Sequence, residues 1–133
     1  MATSLSVGSL IRSVLLASED VQAFAPNKIY PIISKEGATL PYITYQRGGF
    51  DETPQKYGGD GNDVVTITIN CYAESYDDAV SIAEAVRGAL DMVRDLSDDS
   101  LSIRRCNMTD SSETYEGGAF IQSLVFSIAV NKI

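Results

Sequence analysis

Histidine and tryptophan are both absent from this sequence of 133 residues. Without histidine, the chain lacks the most common general base and the most common metal ligand of proteins. The absence excludes Ser-His-Asp and Cys-His catalysis and leaves few ligands for a zinc site. The composition therefore favours a protein that binds other proteins over an enzyme, and no metal and no cofactor is predicted.

Basic residues are also scarce. Lysine and arginine total 10 against 18 for aspartate and glutamate, which gives a net charge of −8. Nucleic-acid binders neutralise phosphates with clustered cations, so this balance argues against DNA or RNA as the primary ligand. No apolar run approaches the ~18 residues of a membrane span, and no basic stretch followed by an apolar block suggests a signal peptide.

Cysteine occurs twice, as Cys71 and Cys106, with no CxxC spacing. Each lies in an apolar segment that reads as a strand. We expect two buried, reduced thiols in a cytosolic protein rather than a disulfide or a reactive site.

Two segments have the apolar period of an amphipathic helix. Residues 4–17 place apolar side chains at i, i+3, i+4, i+7 and i+8, with Ser4 or Ser6 able to cap the start. A second helix begins at Ser75, which can cap it, and its apolar period continues to Val93.

Patterns typical of strands occur before and after the second helix in the sequence. Residues 64–73 alternate most clearly, with Val65, Ile67 and Ile69 on one face and threonines on the other. Further strands are predicted at residues 29–30, 41–47, 101–108 and 120–130. The first suits a sheet edge because Pro31 follows it, and the last suits a central position because both its faces are apolar.

This order of elements predicts one domain over residues 1–133 in the α+β class. We expect a mainly antiparallel sheet of about four or five strands with two amphipathic helices packed on one face.

Two polar segments interrupt the pattern. Residues 48–61 hold five glycines and a proline, and residues 110–118 are polar. Both are predicted to be loops, the first exposed and mobile. Tyrosine is favoured at protein interfaces, so these loops are the candidate protein-interaction sites. The residues singled out are Phe50, Asp51, Lys56, Tyr57 and Tyr115.

Residues 58–66, Gly-Gly-Asp-Gly-Asn-Asp-Val-Val-Thr, match one copy of the calcium β-roll nonapeptide. In that architecture stacked copies share each ion, so a single copy cannot complete the coordination shell. Glycine and Asx residues before a strand are also ordinary hairpin chemistry, which is the favoured interpretation.

A family resemblance rests on three stretches of sequence. Residues 27–31 read Asn-Lys-Ile-Tyr-Pro, and residues 37–46 read Gly-Ala-Thr-Leu-Pro-Tyr-Ile-Thr-Tyr-Gln. The strand at 65–73 then runs directly into Glu-Ser-Tyr-Asp-Asp-Ala at 74–79. Over residues 5–132 the chain resembles the small tail-completion or tail-terminator proteins of long-tailed bacteriophages and prophages.

The resemblance implies a non-enzymatic assembly protein. Such proteins form a ring, commonly a hexamer, on the last ring of the tail tube, stop its polymerisation and present a surface to the head connector. The implied partners are further copies of the chain, the tail-tube protein and a head-connector or stopper protein. The implied location is the virion tail, and the bacterial host cytoplasm during assembly.

Two alternatives stay open at this point. One is another head–tail joining part, such as a head-completion or stopper protein. The other is a small non-enzymatic module that binds a ligand or calcium.

Overall fold

The computed structural model describes residues 4–53, 62–91, 93, 96–97 and 101–132. After a 3₁₀ turn (Ser4–Ser6), the helices are α1 (Val7–Ala17), α2 (Glu19–Phe24) and α3 (Tyr76–Leu90). The strands are β1 (Ile29–Pro31), β2 (Tyr42–Thr53), β3 (Asn62–Ala73), β4 (Leu96–Ser97), β5 (Leu101–Glu116) and β6 (Ala119–Lys132).

The alternation in β3 divides the sheet into two faces. Val65, Ile67 and Ile69 are fully buried, whereas Thr66 and Thr68 between them are only half-buried. Because directly opposed residues of antiparallel strands point to the same side, Phe126 of β6, opposite Ile67, joins the buried face. We call the buried side the core face and the other side the open face.

The helices cover the core face. Their buried residues follow the predicted apolar period: Val7, Leu10, Ile11 and Leu15 in α1, and Ala79, Ile82, Ala83, Val86 and Leu90 in α3. In α1, a side chain on Gly8 would place its Cβ 3.0 Å from Cε2 of Tyr45, so glycine permits the close approach of this helix to β2.

Hydrogen bonds at the helix ends fix these elements. The Ser75 hydroxyl accepts from the Asp78 N–H at 3.1 Å, as the sequence predicts, and the Ser18 hydroxyl caps α2. Ser6 precedes α1 but makes no side-chain cap bond. At the other end of α3, Asp91 pairs with Arg87 and its Oδ1 accepts from the Met108 N–H at 2.9 Å, which links the helix to β5.

The second of the two predicted helices, α3, is shorter than its apolar period suggests. It ends at Leu90, and Val93 instead forms a β-bridge with Cys106. The apolar period continues past the helix because Val93 packs against the same core from an extended segment.

The loop predicted at residues 48–61 is wrong in its first part. Residues 48–53 continue β2, and Phe50 and Asp51 pair with Val65 and Val64. The register shifts between Arg47 and Phe50, so the two glycines lie at a β-bulge, a position that suits glycine without ending the strand. Residues 54–61, with Lys56, Tyr57 and the first four residues of the nonapeptide, lie outside the described residues.

The polar loop predicted at residues 110–118 is also wrong. β5 continues to Glu116, and β6 begins at Ala119. Gly117 and Gly118 have φ of +59° and +83°, the left-handed backbone of a tight two-residue hairpin turn. Residues 109–118 are all exposed, so backbone pairing holds this arm and their polar side chains face solvent.

Within the described part of the chain, one sheet has the order β1-β2-β3-β6-β5-β4. All its neighbours are antiparallel except β1 and β2, and β6 is central as predicted. The α+β class is confirmed, with the short helix α2 in addition to the two predicted ones. No helix among the described residues has the length and apolar character of a membrane span.

Glycine substitutions give a test of this backbone. Gly88 in α3 has open space where a Cβ would lie, so Gly88→Ala should stabilise the fold by about 0.5–1 kcal/mol. Gly117→Ala should destabilise it by about 1 kcal/mol, because an L side chain is strained at positive φ. Denaturant unfolding of both variants checks this, and a loss of stability in Gly88→Ala would contradict the exposed placement of that residue.

The two thiols give a second test. Both cysteines are buried and unpaired, as predicted, and burial raises the pKa of each to about 12, with the charge of Asp91 adding to the effect at Cys106. The native protein at pH 8 should therefore react with an aromatic disulfide reagent far more slowly than free cysteine does. Both thiols should react once guanidinium chloride unfolds the chain; fast reaction in the native state would contradict the burial.

Candidate functional site

A pocket of about 240 Å³ lies where the β5–β6 arm passes the start of α3. Its lining residues are Tyr76, Glu113, Thr114, Tyr115, Phe120 and Gln122, and we call it the arm pocket. Its position follows from register, because Tyr115 opposes Phe120, Glu113 opposes Gln122, and Phe120 in turn opposes Ala73 on the core face. The arm pocket therefore opens on the helix side of the sheet.

Glu113 is the polar centre of the arm pocket. Its Oε2 accepts two hydrogen bonds, from the Tyr76 hydroxyl at 2.8 Å and from Gln122 Nε2 at 2.8 Å. These bonds leave Oε1 available as an acceptor. No lysine or arginine of the described residues forms an ion pair with this carboxylate.

The aromatic rings form the wall of the arm pocket. The Tyr115 and Phe120 ring centroids are 4.8 Å apart, and Tyr76 approaches Phe120 edge-on with centroids 6.2 Å apart. Phe120 is partly buried against the core, but Tyr76 is 47% exposed and Tyr115 is 61% exposed. Two large aromatic side chains thus remain available to a partner beside a carboxylate, and tyrosine is enriched at protein interfaces.

The hydrogen bonds also shift the titration of this site. Those from Gln122 and Tyr76 lower the pKa of Glu113, which keeps it ionised. The hydrogen bond to Glu113 and its negative charge raise the pKa of Tyr76, which keeps the phenol protonated. The hydrogen bond between Tyr76 and Glu113 is therefore retained at pH values between the lowered pKa of Glu113 and the raised pKa of Tyr76. It is lost as pH falls through the first or rises through the second.

The open face of the sheet is a second distinctive surface. Tyr42 stacks on Tyr72 with centroids 4.6 Å apart, and Tyr30 meets Tyr42 edge-on at 6.2 Å. These three tyrosines pack against one another. The β3 and β6 residues beside them are uncharged and mostly half-buried: Thr66, Thr68, Asn70, Ile121, Ser123, Val125 and Ser127.

Of the residues predicted from sequence as interaction sites, Tyr115 lies in the arm pocket. Phe50 and Asp51 lie in β2 near the opposite end of the sheet, and Lys56 and Tyr57 are outside the described residues. The structure therefore does not bring Tyr115 together with Phe50 or Asp51.

Sequence reasoning missed Tyr76, Glu113, Phe120 and Gln122. The signal that could have found them is the Gly117-Gly118 pair, which marks a two-residue hairpin and fixes the register on either side. Among the described residues no group of three or more Cys, Asp or Glu is placed to hold a metal ion.

The hydrogen bond between Tyr76 and Glu113 predicts a titration difference. Glu113→Gln should lower the pKa of Tyr76 toward that of free tyrosine, because the negative charge that favours the protonated phenol is removed. The Tyr76 titration is the difference in phenolate absorbance between each protein and its Tyr76→Phe counterpart. Glu116→Gln, on the same arm, is the control; an equal shift in that variant would contradict the assigned contact.

The fold of this chain also occurs in a known structure. It is similar to a chain in the virion of a native gene transfer agent particle, with a TM-score of 0.72, 17% identity and coverage of 91% of each chain. No curated protein matches the sequence. The family model for tail completion protein gp17 matches residues 9–130. Because this match spans nearly the whole sequence, the chain belongs to the tail completion protein gp17 family, whose members are structural proteins of phage tails.

Proposed function

We propose that this chain is a tail terminator: a non-enzymatic structural protein that forms a ring on the end of the tail tube. The ring stops tube polymerisation and offers a docking surface to the head connector. The observation that carries the proposal is the family match over residues 9–130. The similarity of fold to a virion component is consistent with it.

The sheet edges support assembly into a ring. β1 pairs with β2 only at residues 43–45, so the outer edge of β2 has no described partner strand from Gln46 onward. On the other side, β4 pairs only with Ser102 and Ile103, and the outer edge of β5 has no described partner strand from Thr109 to Glu116. A closed ring of identical chains needs two different surfaces on opposite sides, and these edges lie on opposite sides.

The ends of the sheet are separate from its edges. Residues 53 and 62 pair at one end of the sheet, whereas the Gly117-Gly118 turn lies at the other, because β6 starts beside Ala73 and its last pair with β3 is at Asp63. We propose that the end with Phe50 and Asp51, together with Lys56 and Tyr57, contacts the tube. The other end is then available to the head connector, and the protein resides in the virion tail after assembly in the host cytoplasm.

A capping assay tests the proposal. Tail-tube protein from the same genome is polymerised with and without the purified chain, and tube lengths are measured in negative-stain images. We expect shorter tubes with a ring of extra density at one end, because a bound ring blocks subunit addition. Phe50→Ala should weaken capping about tenfold or more if this end meets the tube.

The matched control is Phe24→Ala, the same change at an exposed residue at the end of α2 and away from both sheet edges. Tubes of unaltered length with no density at their ends would contradict a terminator function and favour another head–tail joining role. Capping that is equally weak in both variants would contradict the assignment of the Phe50 end to the tube.

A further inference from the structure

We infer that the arm pocket receives the Arg47 guanidinium of the next copy around the ring, where it pairs with Glu113 and stacks on Tyr115. This inference rests on the proposed function, because it requires a ring, and it adds the two surfaces that meet and the contact between them.

The arm pocket has the chemistry of a guanidinium site. Glu113 is ionised, with Oε1 left available by two hydrogen bonds that both end on Oε2. The exposed rings of Tyr76 and Tyr115 stand beside it. A planar guanidinium can donate to a carboxylate while its face lies on an aromatic ring, whereas a lysine ammonium is a compact, strongly hydrated charge that stacks poorly.

The described arginines differ in their availability. Arg12 donates from Nε to the Ile29 carbonyl at 3.1 Å, and Arg87 pairs with Asp91. Arg104 and Arg105 lie on β5, the strand that also carries Glu113 and Tyr115. They are therefore on the same side of the sheet as the arm pocket, and a neighbour that presents its β2 side cannot bring them to it. The Arg47 side chain is exposed and has no hydrogen bond or ion pair with any described residue.

The topology places Arg47 on the side that a neighbour would present. It lies on β2, which β3 separates from the β5–β6 arm. Its position is just beyond the residues of β2 that pair with β1. It opposes Ile67, a core-face residue, and the arm pocket opens on the same side of the sheet. A head-to-tail contact between the β5 edge of one copy and the β2 edge of the next, with one copy shifted by about four residues along the strands, therefore brings groups of opposite charge together on one face.

A charge exchange tests the contact. Arg47→Glu and Glu113→Lys should each lower the fraction of chains in rings by about tenfold or more at fixed concentration, because each places like charges at the contact. The double variant should recover most of that loss by restoring opposite charges. Native mass spectrometry and negative-stain imaging, of the protein alone and on tube ends, measure the ring fraction.

Matched controls separate this contact from general charge effects. Arg104→Glu and Glu84→Lys make the same changes at exposed residues outside the contact, and they should leave the ring fraction unchanged. Circular dichroism confirms that each variant is folded. Rings that are insensitive to both single variants, or controls that are as disruptive as the tested residues, would overturn the inference and leave the proposed function standing. Failure of the parent chain to form a ring, alone or on tubes, would overturn both.

Cross-linking gives an independent measurement. Because Cys71 and Cys106 are buried, Arg47→Cys combined with Glu113→Cys provides the accessible thiols. A short bismaleimide should then link successive copies into a ladder that extends beyond dimers, since each copy carries both halves of the contact. Either cysteine substitution alone should give no such ladder. A ring that forms normally but yields no ladder would contradict the contact.

Discussion

The pairing of β3 with β6 is the constraint on which the rest of the structure depends. Its register places Val65, Ile67 and Ile69 opposite Ile128, Phe126 and Leu124, so that one face of the sheet centre is continuously apolar. A shift by one residue would turn these side chains to the open face and place threonine and serine beneath the helices. The helices, the outer strands and the arm all take their positions from this one register.

Most of the core could be predicted from the sequence, because the core-forming segments have a regular apolar period. The alternation in residues 64–73 and the helical spacing in α1 and α3 both report burial directly, and both are confirmed. The apolar period misplaced the end of α3, since Val93 belongs to the same core but reaches it in an extended conformation. Periodicity identifies which residues are buried more securely than where an element ends.

The two polar segments could not be predicted by the same means. Residues 48–53 and 110–116 form strands through backbone hydrogen bonds to neighbours that are already fixed, and such bonds place no demand on side-chain polarity. Glycine pairs in polar segments indicate loops, yet Gly48 and Gly49 lie at a bulge and Gly117 and Gly118 at a two-residue turn.

The same error hid most of the arm pocket. The sequence predicts Tyr115 as an interaction residue, but its neighbours can be identified only when residues 110–118 are paired across the turn. Glu113 and Gln122 are nine positions apart in sequence, yet the Gln122 side-chain amide donates a hydrogen bond to the Glu113 carboxylate. Tyr76 comes from a third element, and its contact depends on where α3 begins relative to the arm, which local sequence patterns do not specify.

The edges of β2 and β5 that have no described partner strand also govern how separate chains behave toward one another in solution. Exposed strand edges can pair with other chains, yet each copy carries a net charge of −8, so neighbouring copies repel at long range. Dissolved ions shorten the reach of that repulsion to about 10 Å at 0.1 M, whereas backbone hydrogen bonding between edges acts only at contact and is little affected. Ionic strength therefore sets how readily two copies come close enough for their edges to meet.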